Sequence, residues 1–164
     1  MNRQIKSVIK RILNIVNFYL SLRILDQRFY IPIVAGQGLL NIRDRETWLI
    51  NVIDKVLCIK SGAVVDVGVN VGQTLLKVAA IDRDIHYFGF EPNILCAAYV
   101  HRLIEKNNLE NYKIFPFGLG ENDESVELYL RDGQTETASV KKGFRPEQFY
   151  SSKMSVSIRR GDDI

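Results

Sequence analysis

Two carboxylates follow short apolar runs and bracket a glycine-rich turn. Asp66 lies near the end of the short apolar run at 63–67, the turn GVNVG occupies 68–72, and Glu91 follows the apolar run at 85–90. Glycines let a ligand approach the backbone of such a turn closely. A carboxylate at the end of the second strand can accept hydrogen bonds from both ribose hydroxyls of an adenosine. The arrangement therefore predicts a nucleoside-binding site.

The charges near the turn favour one nucleoside cofactor over another. A dinucleotide places its pyrophosphate on the turn, where Asp66, two residues before Gly68, would repel it. Asn70 also stands where the dinucleotide fingerprint has its middle glycine. S-adenosylmethionine has no phosphate and carries a positive ammonium and a positive sulfonium. The residues therefore favour the methyl donor, and an NAD-dependent oxidoreductase is the less favoured alternative.

Hydrophobic periodicity predicts the elements that hold this turn. The order from residue 63 is strand, helix 73–81, strand 85–90, helix Ile94–Lys106 capped by Asn93, and strand 113–117. This β-α-β-α-β order predicts parallel strands, and Pro116 places the third strand at an edge of the sheet. A strand at 125–130, with alternating exposure, is of the antiparallel type. The fold class is therefore α/β.

The first sixty residues are predicted to form a helical N-terminal extension. Apolar and polar side chains repeat at helical spacing over 4–25, which predicts an amphipathic helix. Its uncharged run at 12–22 is too short to span a bilayer. We expect this helix to contact its own domain, a partner chain or an anionic membrane surface. A short strand at 29–34, a turn at Gly36 and Gly38, and a helix at 44–59 follow.

Composition bounds the function further. The chain has 164 residues, of which 46% are hydrophobic and 25% charged, as in a globular domain. The net charge of +3 arises because residues 1–60 carry an excess of six positive charges. This excess is too diffuse to indicate nucleic-acid binding. Cys58 and Cys96 lack the spacing of a zinc site or a disulfide framework, so we expect no metal and a cytoplasmic, reducing location.

Four segments resemble the FkbM family of S-adenosylmethionine-dependent methyltransferases. They are VVDVGVNVGQT at 64–74, FGFEPN at 88–93, FPFGLGENDESVELYL at 115–130 and TASV at 137–140. The resemblance implies a Rossmann-like class I methyltransferase fold, with strand order 3-2-1, and methyl transfer to a hydroxyl oxygen of a sugar, glycan or polyketide-like acceptor. Carried over by position, the residues that would line the methionine end of the cofactor are Asp66, Gly68, Asn70, Gly72, Gln73 and Thr74. Glu91 would bind the ribose, while Pro92, Asn93, Gly118 and Leu119 would surround the adenine.

The resemblance covers 62–164 and implies that the chain is shorter than a complete family member. In the family a further strand follows the segment like 156–164 and pairs beside the first strand, so we expect 61–164 to form the N-terminal half of the methyltransferase domain. The first strand would then lie at an unpaired edge. The alternative function is a truncated, non-catalytic binding or assembly module that needs a partner chain. No residue is assigned as catalytic base, and the sequence does not determine the oligomeric state.

Overall fold

Strands and helices alternate through the central part of the chain, which confirms the α/β class. The computed structural model describes residues 17–43, 46–60, 62–131, 134–140 and 145–164. The strands are β1 (Phe18–Ile24), β2 (Gln27–Ile33), β3 (Val64–Val67), β4 (Tyr87–Phe90), β5 (Tyr112–Phe115), β6 (Gly118–Gly120), β7 (Glu124–Arg131), β8 (Gln134–Ser139) and β9 (Ser152–Arg160). The helices are α1 (Leu39–Arg43), α2 (Thr47–Ile59), α3 (Gln73–Ile81) and α4 (Ile94–Lys106).

A three-stranded parallel sheet lies at the centre of the described chain. Its strands lie in the order β3-β4-β5, with Asp66 opposite Gly89 and Val67 opposite Phe90. The two parallel connections contain α3 and α4, as the alternating pattern predicted. Pro116, which has no N–H to donate to a ladder, comes directly after the last residue of β5.

The two faces of this sheet have different environments. Val64, Tyr87 and Tyr112 are register partners, so they share a face, and they lie in or against the buried core formed with α3 and α4. On the opposite face Val65 and Val67 are each 60% exposed. The sequence of β3 suits a strand buried on both faces, but within the described residues β3 is covered on one face only, although Phe90 of β4 is buried on the other.

A second sheet of four strands follows in the order β6-β9-β7-β8. β7 pairs antiparallel with both β8 and β9, and β6 pairs parallel with β9. The strand predicted at 125–130 is therefore confirmed, including its antiparallel type. Its burial follows the predicted alternation only in part. Leu128 is buried and Glu127 is exposed, as predicted, but Tyr129 is half-buried like Leu130.

The helix predicted over 4–25 is wrong for its last part. Phe18–Ile24 is a strand that forms an antiparallel hairpin with β2, with Phe18 opposite Ile33 and Ile24 opposite Gln27. The pairing supplies backbone hydrogen bonds that a helix would otherwise supply, and aromatic and β-branched residues favour it. Residues 1–16, which hold the rest of the predicted helix, lie outside the described ranges.

The hairpin packs into the same core as the central sheet. Phe29, Ile31 and Ile33 of β2 are fully buried and belong to one cluster with α3 and α4. The remaining N-terminal predictions are confirmed in outline: β2 lies at the predicted 29–34 segment, and α2 covers most of the helix predicted at 44–59. Gly36 and Gly38 form a turn with φ of +80° and +93°.

Asn107 holds β2 against the end of α4. Its side chain is buried, with Oδ1 accepting from the Tyr30 N–H at 2.7 Å and Nδ2 donating to the Tyr30 carbonyl at 2.9 Å. Nδ2 also donates to the Leu103 carbonyl at 2.8 Å. Asn107 thereby satisfies both backbone polar groups of a residue on the outer edge of the hairpin.

We expect Asn107→Ala to lower the free energy of unfolding by about 2–4 kcal/mol, because it leaves several buried backbone groups without partners. Urea unfolding, monitored by circular dichroism, measures this loss. Asn122→Ala, at an exposed loop position, is the matched control and is expected to change stability by less than about 0.5 kcal/mol. Equal stability of the two variants would contradict this role of Asn107.

Candidate functional site

The turn between β3 and α3 has a backbone that favours glycine. Gly68, Asn70 and Gly72 have φ values of +91°, +52° and +83°. A Cβ on Gly72 would lie 2.9 Å from Cδ2 of Leu103, whereas a Cβ on Gly68 would meet no atom within 4 Å. At Gly72 the packing of the turn against α4 leaves no room for a side chain. At Gly68 the backbone conformation alone requires glycine, and the adjacent space is open.

Glu91 joins this turn to the turn after β4. Its Oε2 accepts from the Asn70 N–H at 2.7 Å and its Oε1 accepts from the Asn93 N–H at 2.8 Å. The residue is only 7% exposed. Each carboxylate oxygen has a further lone pair, so Glu91 retains acceptor capacity for a ligand. The structure therefore brings the predicted residues Asn70, Glu91 and Asn93 together.

Asp66 lies on the core side of β3 and bonds to a neighbouring strand. It faces the same side of the sheet as Val64 and Tyr87, and the Tyr87 hydroxyl donates to its Oδ2. Burial, reinforced by the charge of Asp66, raises the pKa of Tyr87, so this hydroxyl keeps its proton. Tyr87 was not among the residues predicted from sequence. The signal that could have revealed it is register, because Tyr87 opposes Val64, two residues before Asp66.

Burial shifts the pKa of both carboxyl groups, Asp66 and Glu91. Burial raises the pKa of Asp66, and the hydrogen bond from Tyr87 opposes that shift. Burial also raises the pKa of Glu91; the N–H groups of Asn93 and Asn70 oppose the shift, and the charge of Asp66 adds to it. Two partly desolvated acids next to each other favour a cation between or beside them.

The raised pKa of Asp66 predicts how the free energy of unfolding depends on pH. Below the ordinary carboxyl pKa of about 4, the Asp66 carboxyl is protonated in both the native and the unfolded state. As the pH rises from there through the raised native pKa, the native state binds more protons than the unfolded state, so the free energy of unfolding falls.

We therefore expect Asp66→Asn, which cannot titrate, to gain stability relative to the native chain across that interval and to hold a constant difference above it. Urea unfolding at a series of pH values measures the difference. A difference that stays flat through the whole interval would show that burial does not shift the pKa of Asp66.

The other predicted residues lie around these two turns. Gln73 and Thr74 begin α3, which runs over Gln73–Ile81 as predicted. The Asn93 side chain accepts from the Leu95 N–H at 3.1 Å, which confirms the predicted cap of α4. Gly118 lies beside Pro92, since a Cβ on Gly118 would be 3.5 Å from that ring.

Leu119 lies on the other side of the sheet from the hydrogen bonds of Asp66. It lines an apolar depression of about 320 Å³ together with Val65, Phe88, Phe90 and Phe115. Phe90 and Phe115 stack with ring centroids 5.1 Å apart. Leu119 therefore borders the exposed face of the central sheet.

Cys96 contacts the glycine turn from α4. It is buried, and its Sγ donates to Oδ1 of Asn70 at 3.7 Å. The Gln37 side chain reaches Sγ from the other side, with Nε2 at 3.9 Å. These contacts connect the loop after β2 to Asn70. The sequence did not reveal them because they join segments that are far apart along the chain.

Comparisons with known proteins leave the family open. No protein-family model matches the chain, and no curated protein matches it significantly. Among the described residues, no three histidine, cysteine, aspartate or glutamate side chains converge as metal ligands. Within the same ranges, no helix is both long and apolar enough to cross a bilayer.

Proposed function

We propose that the chain binds S-adenosylmethionine and belongs to the methyltransferases that act on a hydroxyl oxygen. The observation that carries the proposal is the position of Glu91, whose two carboxylate oxygens bond the glycine turn and the following turn. In this proposal the ribose lies against Glu91 and the methionine portion lies along residues 68–74. The fold is then a Rossmann-like class I methyltransferase fold in which β3, β4 and β5 are its first three strands.

The electrostatics of Asp66 and Glu91 support a cationic ligand over a phosphorylated one. Burial raises the pKa of both groups, so each is ionised at a cost that a nearby positive charge would reduce. The ammonium and sulfonium of S-adenosylmethionine supply such charge. A pyrophosphate would add negative charge close to the same acids and raise that cost. This contrast favours the methyl donor over NAD.

The open space beside Gly68 supports the proposal that the methionine portion of the ligand lies along residues 68–74. A Cβ there would meet no protein atom within 4 Å, so a ligand can approach the backbone of the turn. Methyl transfer to oxygen is an in-line displacement, which requires that the acceptor hydroxyl lie about 3 Å from the donor methyl group. For the acceptor we propose the class that the resemblance to FkbM methyltransferases implies: a sugar, glycan or polyketide-like alcohol. We propose a cytoplasmic location for this reaction.

A specific observation supports the alternative, a binding or assembly module completed by a partner chain. Val65 and Val67 are each 60% exposed on one face of the central sheet. Side chains of this type in a parallel strand are normally covered. Under this alternative a partner covers that face, and the turn at 68–72 has only a structural role.

Calorimetric titration of the chain with S-adenosylhomocysteine and with NAD separates these functions. The proposal predicts saturable binding of S-adenosylhomocysteine and no measurable heat with NAD under the same conditions. NAD binding alone would favour an oxidoreductase. Binding of neither by a folded chain, confirmed by circular dichroism, would favour the assembly module.

A further inference from the structure

The glycine turn at 68–72 uses most of its backbone donors within the chain itself. The N–H groups that already have acceptors are those of Gly68, Val69, Asn70 and Gly72. The side-chain amide of Asn70 and the first N–H groups of α3 are donors that remain for a ligand. The methionine portion of S-adenosylmethionine ends in a carboxylate, which needs such donors.

Cys96 of α4 determines which end of the Asn70 amide faces that helix. Cys96 is 1% exposed, and its Sγ donates to Oδ1 of Asn70 at 3.7 Å. Nε2 of Gln37 donates to the same sulfur at 3.9 Å. Because the sulfur accepts from Gln37, the thiol proton is directed to Asn70. The amide oxygen therefore faces α4, and the amide nitrogen lies on the other side of the same terminal carbon.

Nδ2 of Asn70 is open to a ligand. It makes no hydrogen bond to any residue in the described ranges, and it is not one of the buried unpaired atoms found there. The nitrogen is therefore accessible to solvent. Asn70 is half-buried, and the space beside Gly68, two residues earlier, is empty of protein atoms. A ligand that lies along the turn can thus reach this donor.

Buried contacts from α1 hold the same turn on another side. Asn41 is 3% exposed, and its Nδ2 donates to the Val71 carbonyl at 2.7 Å and to the Tyr99 hydroxyl at 3.3 Å. The Tyr99 hydroxyl in turn donates to the Pro32 carbonyl at 2.9 Å. The backbone on either side of Asn70 is therefore held in place before a ligand arrives, which lowers the ordering cost of binding.

We propose that Cys96 is a positioning residue of the methyl-donor site, because it turns Nδ2 of Asn70 toward the carboxylate of the ligand's methionine portion. Nδ2 donates to that carboxylate, while the charge of Asp66 attracts the ammonium of the same amino-acid group. A hydrogen bond to a carboxylate is charge-assisted and stronger than one between neutral groups. The role of Cys96 rests on the proposed function, and it makes the site selective for a ligand that carries a carboxylate.

Calorimetry on the full chain with S-adenosylmethionine and with its decarboxylated form tests this selectivity. The two ligands share the nucleoside, the sulfonium and an ammonium, and they differ in the carboxylate. We expect the native chain to bind the decarboxylated form at least about tenfold more weakly. Binding of neither ligand by a folded chain would overturn the proposed function and the role of Cys96 with it. Equal binding of both would overturn the role of Cys96 alone.

Asn70→Gly removes the amide and keeps a residue that adopts the φ of +52° without strain. We expect this variant to bind S-adenosylmethionine at least about tenfold more weakly than the native chain, and the decarboxylated form within about threefold of it. An equal loss for the two ligands would overturn the contact with the carboxylate, since a distorted turn or an amide oxygen that faces the ammonium has that effect.

Cys96→Ala leaves the Asn70 amide in place but no longer orients it. We expect it to bind S-adenosylmethionine about three- to tenfold more weakly, with the decarboxylated form unaffected, while Cys96→Ser supplies a hydroxyl donor and recovers most of the loss. Cys58→Ala, at the exposed cysteine of α2, is the matched control and is expected to bind both ligands as the native chain does. Melting curves establish that each variant is folded. Native affinity in Cys96→Ala, or an equal loss for both ligands, would overturn the positioning role.

Discussion

Glu91→Gln is expected to bind S-adenosylhomocysteine about ten- to 150-fold more weakly than the native chain, a loss of roughly 1.5–3 kcal/mol. The carboxylate is buried between the two turns and already accepts from the N–H groups of Asn70 and Asn93. Glutamine keeps the shape but removes the charge and replaces one acceptor oxygen with a donor. Calorimetry measures the affinity, and Glu110→Gln, an exposed acid beyond the end of α4, is the matched control.

A ligand change assigns this loss to the ribose. A 2′-deoxy analogue of S-adenosylhomocysteine lacks one of the two hydroxyls that we propose Glu91 accepts. It is expected to bind the native chain more weakly, yet lose much less in Glu91→Gln, because the contact is already impaired there. This coupling is the quantity that a double-mutant cycle measures. Equal penalties for the analogue in both proteins would exclude contact between Glu91 and the ribose.

We also expect Glu91→Gln to make the folded chain less stable. In Glu91→Gln the side-chain amide must place its NH₂ group against the N–H of Asn70 or of Asn93, which breaks one of two buried hydrogen bonds. We expect the free energy of unfolding to fall by about 1–3 kcal/mol. Binding is therefore measured at a temperature where the melting curve shows the variant to be folded.

Asp66→Ala is expected to weaken S-adenosylhomocysteine binding by about 1–3 kcal/mol, the size of one lost charge-assisted contact. The reason is the carboxylate at the end of β3, two residues before Gly68 and partly removed from solvent. Its negative charge is expected to attract the ammonium of the ligand. Calorimetry on the folded variant measures the change.

Tyr87→Phe separates the charge of Asp66 from the orientation of its carboxylate. The variant keeps the Asp66 carboxylate and removes the hydroxyl that donates to it. We expect its affinity to change less than that of Asp66→Ala, because the charge is still present. If Asp66→Ala binds S-adenosylhomocysteine as tightly as the native chain does, Asp66 has no place in the site. If Tyr87→Phe loses as much as Asp66→Ala, the orientation of the carboxylate outweighs its charge.

The elements around the glycine turn could be predicted because local chemistry specifies their ends. Gly72, in the left-handed conformation, precedes α3, and the Asn93 side chain caps α4. Both helices have the predicted bounds. These signals lie within a few residues of the element that they delimit, so one sequence is enough to find them.

The hairpin could not be predicted because long-range pairing decides it. In Phe18–Ile24 the apolar residues fit both a helical face and an alternating strand, and the partly buried ones are Phe18, Leu22 and Ile24. The strand wins through its pairing with Gln27–Ile33, whose buried side chains belong to the core. Periodicity in a short apolar run does not separate these two outcomes.

The candidate site was predictable in its acids but not in its contacts. Strand ends place Asp66 and Glu91 at one edge of a parallel sheet, which pattern alone indicates. The hydroxyl of Tyr87, the sulfur of Cys96 and the amide of Asn41 enter the region through register and helix packing. The sequence shows that these residues are present, but only the fold shows what they contact.

The most direct test of the methyl-donor site is a titration of the ¹⁵N-labelled chain with S-adenosylhomocysteine, followed through backbone amide signals. The N–H groups of Asn70 and Asn93 both donate to Glu91, so each reports on a ligand that reaches this carboxylate. We expect saturable shifts of these two amides and of residues 68–74, with small changes in the hairpin and in β7. Absence of binding, or saturable shifts confined to segments away from the two turns, would contradict the proposed methyl-donor site.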